Sequence, residues 1–337
     1  MKKAMILAVV LFSIVVTAAC GQNTESEEPK SKATENENTK TEKEEGDLKR
    51  KQMVSPAESN FLKVIEKGSI EHMHGVGYAG NQNVVLLATH DGLRIYNDGT
   101  WYGTKKENND YMGFSATENG FYSSGHPGND SKLKNPVGLV KTSDYGETFT
   151  KLGFEGESDF HYMAAGYSHE VIYVVNQQSN SKMELGMYVT TDEGETWKQS
   201  QLGGTIPNQV GGMMTHPTKA EWVALNSPEG VFLSMDYGNT FEHYTDNLSV
   251  SAMHFTEKEL IYATNDGGNQ LFVKNLDSED VSEMKLPDLD EKDMIMFIAQ
   301  NPQNDQELVF ATMNNNVFMT KDHGKTWEPL VENGDIQ

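Results

Sequence analysis

The sequence predicts an all-β domain built as a β-propeller of four-stranded blades, with six blades expected and seven as the alternative. An octapeptide recurs four times along the chain. From Phe61 onward, short β-branched and aromatic runs alternate with Gly, Asn and Asp turns, and no apolar pattern at helical spacing persists. A methionine stands in the first strand of each unit at steps of about 39 to 51 residues, the size of one blade.

The octapeptide occupies Thr142 to Phe149, Thr190 to Trp197, Ser234 to Phe241 and Thr320 to Trp327. Each copy reads small hydroxyl, any, Asp, any, Gly, any, Thr, aromatic. Asp144, Asp192, Asp236 and Asp322 accept backbone N–H bonds in a tight hairpin, and Gly146, Gly194, Gly238 and Gly324 supply the positive φ it needs. The aromatic, Trp197 and Trp327 among them, then opens the next strand half buried.

Taken in order, Met1 to Ala19 has a basic start, an apolar core too short to span a bilayer and small residues before a cysteine, the pattern of a lipoprotein signal peptide. Cys20 is then the lipidated first residue of the mature chain. It is the sole cysteine, so disulfides and Cys-based metal or redox sites are excluded. Residues 20–55 form a Glu/Lys-rich stretch with too little apolar surface to fold, a disordered tether. Such a tail resembles those of Gram-positive surface lipoproteins and implies an extracytoplasmic domain anchored to the cell membrane. Residues 56–337 are expected to form one propeller domain.

Second strands are expected at Val84 to Thr89, Gly120 to Ser124, Val171 to Asn176, Glu221 to Asn226, Leu260 to Asn265 and Leu308 to Met313. Third strands follow at Gly92 to Tyr96, Val137 to Lys141, Gly186 to Thr190, Gly230 to Ser234, Gln270 to Lys274 and Asn316 to Thr320. First strands carry Met73, Met112, Met163, Met213, Met253 and one of Met294 or Met296. Blades one and five lack an intact octapeptide, and Asn60 to Ile70 holds a strand that closes the ring or belongs to a seventh blade.

The octapeptides resemble the Asp-box (BNR) repeats of sialidase-like and sortilin-like β-propellers, where the box joins the two outer strands of a blade. Glu71-His72-Met73-His74-Gly75-Val76-Gly77-Tyr78 and Ala88-Thr89-His90-Asp91-Gly92-Leu93 are similar to the opening blade of exported bacterial proteins of that kind, named for glycoside hydrolysis. Sialidase chemistry implies an arginine cluster, and the chain has only Arg50 and Arg94. No catalytic residue is therefore assigned. Asp91 with Asp159, or Glu71 with Asp110, are the carboxylate pairs a non-sialidase glycosidase would use.

The loops entering first strands and leaving second strands meet at one mouth of a propeller's channel. His72, His74, His90, His126 and His161 all fall at such places. With Met73, Met112 and Met163 nearby, this set suits copper or zinc, whereas the bland reading is core-filling methionines and hydrogen-bonded histidines. The formal charge of −23 excludes nucleic acid as a partner. The expected role is binding, of a metal, a glycan or an envelope protein, by a monomer.

Overall fold

The computed structural model describes residues 53–337. The signal peptide, Cys20 and most of the tether lie outside the described residues. Among the described residues the sole helix is a single turn, Pro56–Glu58, and no helix is long and apolar enough to cross a membrane.

Six sheets form six blades, antiparallel throughout except where Gly203–Gly204 runs parallel to Thr240–His243 at the edge of blade four. In blade one, strands Met73–Tyr78, Val85–Thr89, Gly92–Asn97 and Thr100–Thr104 run from the axis outward. The first strands of the other blades are Asp110–Thr117, Met163–Ala165, Gly212–Thr215, Val250–Phe255 and Ile295–Gln300. Each touches the first strand of the next blade, and that of blade six touches that of blade one, so the ring closes.

Second strands are buried on both faces, which is why those of blades one, three, five and six read as near-continuous apolar runs. In blade one, Leu86 and Ala88 pack with Tyr111 and Phe121 of blade two. Val85 and Leu87 point the other way, against Val309 and Ala311 of blade six. Four further clusters fill the remaining gaps between neighbours, so the core is a set of interfaces rather than one centre.

Every box joins the third and fourth strands of its blade. In the second box, the Thr190 hydroxyl donates to Asp192 Oδ1 (2.7 Å) and accepts from the Gly194 amide (2.9 Å). Asp192 then accepts from the Thr196 amide at 2.9 Å and from the Thr196 hydroxyl. These bonds hold its carboxyl down to about 2, the Thr196 hydroxyl contributing most. Gly194 has φ +90°, and Glu193 before it also has a positive φ, +53°. The turn thus uses two left-handed residues in succession, where the sequence reading anticipated one.

The seven-blade alternative is corrected. Leu62–Ile65 pairs with Trp101–Thr104 as a fifth, outermost strand of blade one, and belongs to no further blade. It does not close the ring either. Closure comes from the following residues: Ser69 bridges Asp335, the Ile70 amide donates to the Gly334 carbonyl (2.7 Å), and the Ile336 amide donates to the Gly68 carbonyl (3.0 Å). The tether boundary at residue 55 also shifts. Met53 is buried in the blade one and two cluster, and the Val54 carbonyl accepts from the Tyr145 hydroxyl at 2.7 Å, so these residues belong to the packed domain.

Candidate functional site

The site is built where first strands begin and second strands end. In blade one, Met73 pairs with Thr89 and Gly75 with Ala88, which leaves His74 as the extra residue of a β-bulge. Bulges re-aim side chains at sheet ends, and this one sits where His74 meets the next blade. Gly75 and Gly77 let the strands approach: a Cβ at either would come within 2.9 Å of Phe114 or 2.6 Å of Ala116. The His74-Gly75-Val76-Gly77 run therefore supplies both a candidate donor and the room to seat it.

Asp110 opens the first strand of blade two, fixed by its flanks. Tyr111 is buried in the core, and buried Asn109 accepts the Gly128 amide at 2.9 Å. Between these anchors the Asp110 carboxylate reaches back to blade one. Oδ1 lies 3.2 Å from His74 Nε2, and Oδ2 lies 2.9 Å from His90 Nδ1. One ligand atom from each of His74, His90 and Asp110 falls within 4.8 Å of the others.

A second hand-off repeats the first. His126 ends the second strand of blade two and its Nε2 lies 3.1 Å from Asp159 Oδ2; His161 Nδ1 lies 3.3 Å from the same oxygen. Phe160, between the two, is buried and donates its amide to Ser124 Oγ (2.9 Å), pinning this entry loop to blade two. The His90–Asp110 and His126–Asp159 pairs thus occupy comparable places at successive blade interfaces.

Three buried atoms face this mouth: His74 Nε2 and Asp110 Oδ1, which have only each other at 3.2 Å, and Asp159 Oδ1, which has no hydrogen-bond partner. Burial lowers the His74 pKa against the pull of Asp110, with His90, His72 and His161 adding to the lowering, which favours the neutral ring with its lone pair. Burial raises the Asp159 carboxyl, opposed by His161 and His126 and assisted by Asp110. Charges in both hand-offs feel each other, so they form one electrostatic unit.

The other expected residues are placed differently. His72 is exposed, and its carbonyl accepts the His90 amide at 3.2 Å, which sets it beside the cluster rather than in it. Glu71 and Asp91 are exposed and pair with none of these histidines; the Asp91 charge faces Arg94. The carboxylate pairs Asp91–Asp159 and Glu71–Asp110 are therefore not what the mouth assembles. Instead, Asp110 and Asp159 are its two acids. Met163 is buried in the blade two and three core and Met73 packs against the blade one and six core, the apolar role of gap fillers. Met112 is half-buried beside Asp110, in a stretch where the register shifts. Sequence reasoning missed Asn135, whose Oδ1 lies 2.7 Å from His126 Nδ1. A loop asparagine carries no local signal of such a role.

At the opposite end of the channel a cavity of about 530 Å³ is lined by Tyr78, Phe114, Met214 and His254 among others, and by none of the five mouth histidines. Burial pushes His254 down to about 4.

Residues 138–286 match the family model described as sortilin, neurotensin receptor 3. They run from the outer half of blade two through blade five, three of the four boxes included. Among solved structures the chain is similar to the GH74 xyloglucanase of Xanthomonas campestris, at 14% identity over 80% of this chain and 46% of that one, with a TM-score of 0.50. It is similar to the GH74 enzyme of Niastella koreensis at 14% identity over 80% of this chain and 47% of that one, with a TM-score of 0.51. The chain thus spans less than half the length of either enzyme, and the likeness is one of fold. A comparison with curated protein sequences finds no match.

Proposed function

We propose that this Asp-box propeller, sortilin-like in sequence over its middle blades, is a binding module whose channel mouth holds a divalent transition metal on His74, His90 and Asp110. The observation that carries the reading is the convergence of two imidazoles and a carboxylate, with His74 Nε2 and Asp110 Oδ1 buried and facing only each other. Ligands about 2.0–2.1 Å from a tetrahedral zinc stand about 3.3 Å apart. The 3.2 Å between His74 Nε2 and Asp110 Oδ1 suits that spacing.

Two histidines and one carboxylate leave a fourth position for water or a ligand, the donor set of open zinc sites. Copper(II) fits the same donors and binds more tightly in the usual order of divalent ions. A soft copper(I) site is disfavoured, because Met73 and Met163 are committed to packing. An ion here also relieves the cost of burying the Asp110 carboxylate, and the chain's negative charge favours its approach.

The test is titration of zinc or copper(II) into the full chain after chelator treatment. Binding that is lost in His74→Ala and in Asp110→Asn, with the far-ultraviolet dichroism unchanged, supports the site. Absence of micromolar binding in the wild-type protein overturns it. The same reading takes the chain to be held at a membrane by lipid on Cys20; metabolic labelling with a fatty acid that persists in Cys20→Ala contradicts that part alone.

A further inference from the structure

The second hand-off carries more than a hydrogen bond. His126 Nδ1 lies 2.7 Å from Asn135 Oδ1 while its Nε2 lies 3.1 Å from Asp159 Oδ2, so both ring nitrogens face oxygen. A neutral imidazole has one N–H and one lone pair. With the N–H given to the Asn135 carbonyl, the Nε2 lone pair points at a carboxylate oxygen, and a cation belongs between them.

A proton alone leaves the arrangement incomplete. Protonated His126 satisfies Oδ2, but Asp159 Oδ1 stays buried and unpartnered, and His161 Nδ1 still crowds Oδ2 at 3.3 Å. A metal ion uses all of these atoms: two imidazole nitrogens, and a carboxylate that can bind through both oxygens. Asn135 then plays the part that outer-shell acceptors play at metal-bound histidines, fixing the tautomer and the ring plane.

We infer that the mouth holds a second metal ion, on His126 Nε2, His161 Nδ1 and Asp159, with Asn135 as a positioning residue. This inference rests on the proposed His74–His90–Asp110 site and makes the mouth a two-metal centre spanning blades one to three. The ligand atoms of the second set do not all fall within the 4.8 Å that encloses those of the first. His161 is 43% exposed, so its ring can turn toward the ion while His126 stays on Asn135, and part of the binding energy is spent in that closure. The second ion therefore binds more weakly than the first.

Calorimetric zinc titration of the chelator-treated full chain tests this. Two equivalents are expected in steps of unequal affinity. The double variant His126→Ala/His161→Ala should bind one equivalent at the affinity of the tighter step, and His74→Ala should keep only the weaker. Asn135→Ala should retain two equivalents with the weaker step reduced about 10–100-fold. One equivalent in the wild type, lost in His74→Ala, overturns the second site and leaves the first standing. Zero equivalents overturn both, and two equivalents unaltered by the double variant overturn the assignment to these residues. His126 and His161 are exposed at the mouth, and a thermal melt verifies that their variants fold.

Discussion

Asp110 and His126 face each other across the first two strands of blade two, yet their side chains bond to different blades. The Asp110 carboxylate turns back to His74 and His90, and His126 turns forward to Asp159. Each acid thus serves the interface behind it. Asp110→Asn should lower metal affinity at least about a hundredfold, beyond the 10–100-fold typical of outer-shell changes. Equilibrium dialysis with zinc measures it; an unchanged affinity removes Asp110 from the ligand set.

Gly77 lies where the first strands of blades one and two come closest, with a Cβ there 2.6 Å from that of Ala116. Gly77→Ala should destabilise the domain by about 1–3 kcal/mol through overpacking. Urea unfolding measures the loss, and Gly77→Ala combined with Ala116→Gly should recover most of it.

Asp144 accepts from the Thr142 hydroxyl at 2.8 Å and from the Thr148 amide and hydroxyl at 2.9 and 2.6 Å. Asp144→Ala leaves that amide to water and loosens the hairpin, costing about 1–2 kcal/mol by analogy with lost capping residues. The midpoint of chemical unfolding should fall accordingly, with zinc stoichiometry unchanged.

His216 is fully buried; its Nδ1 accepts the amides of Thr218 and Lys219 at 3.2 and 3.1 Å, and Nε2 faces the Glu257 carbonyl at 3.3 Å. Burial, aided by the Lys219 charge, pushes its pKa from 6.5 down to about 4. Between these values the unfolded chain binds a proton that the folded chain refuses, so stability falls as pH drops from 6.5 toward 4. The contribution approaches about 3 kcal/mol at about 1.4 kcal/mol per unit. Unfolding midpoints from pH 7 to 4.5 should fall less steeply in His216→Gln than in the wild type; parallel slopes exclude this cause.

Much of this fold was legible because its signals are local. The hydroxyl-x-Asp-x-Gly-x-Thr-aromatic pattern states its own hydrogen bonds, and the spacing of Met73, Met112, Met163, Met213 and Met253 states the blade. The phase of the strands then brought His74, His90, His126 and His161 to one mouth. Which acids join them was not legible. Asp91 follows His90 directly and yet points to Arg94, whereas Asp110, twenty residues on, meets it, because the choice depends on how two blades stack. The bulge at His74 and the reach of Asn135 are likewise products of register and loop path. For Leu62–Ile65, alternation marks a strand, but the edge it joins is a tertiary matter.

The seam between blades six and one is made by short contacts at Gly68–Ile70 and Gly334–Ile336 together with one apolar cluster, and neither terminus contributes a strand to the other's blade. Every blade is thus complete in a contiguous stretch of chain apart from edge additions. Assembly can proceed one blade at a time as the polypeptide is made, with loop closures of roughly one repeat each, and only the last step joins distant ends. The same seam is where thermal opening should begin. The proposed metal ligands of blades one to three lie on the N-terminal side of the ring and can be in place before the circle is complete.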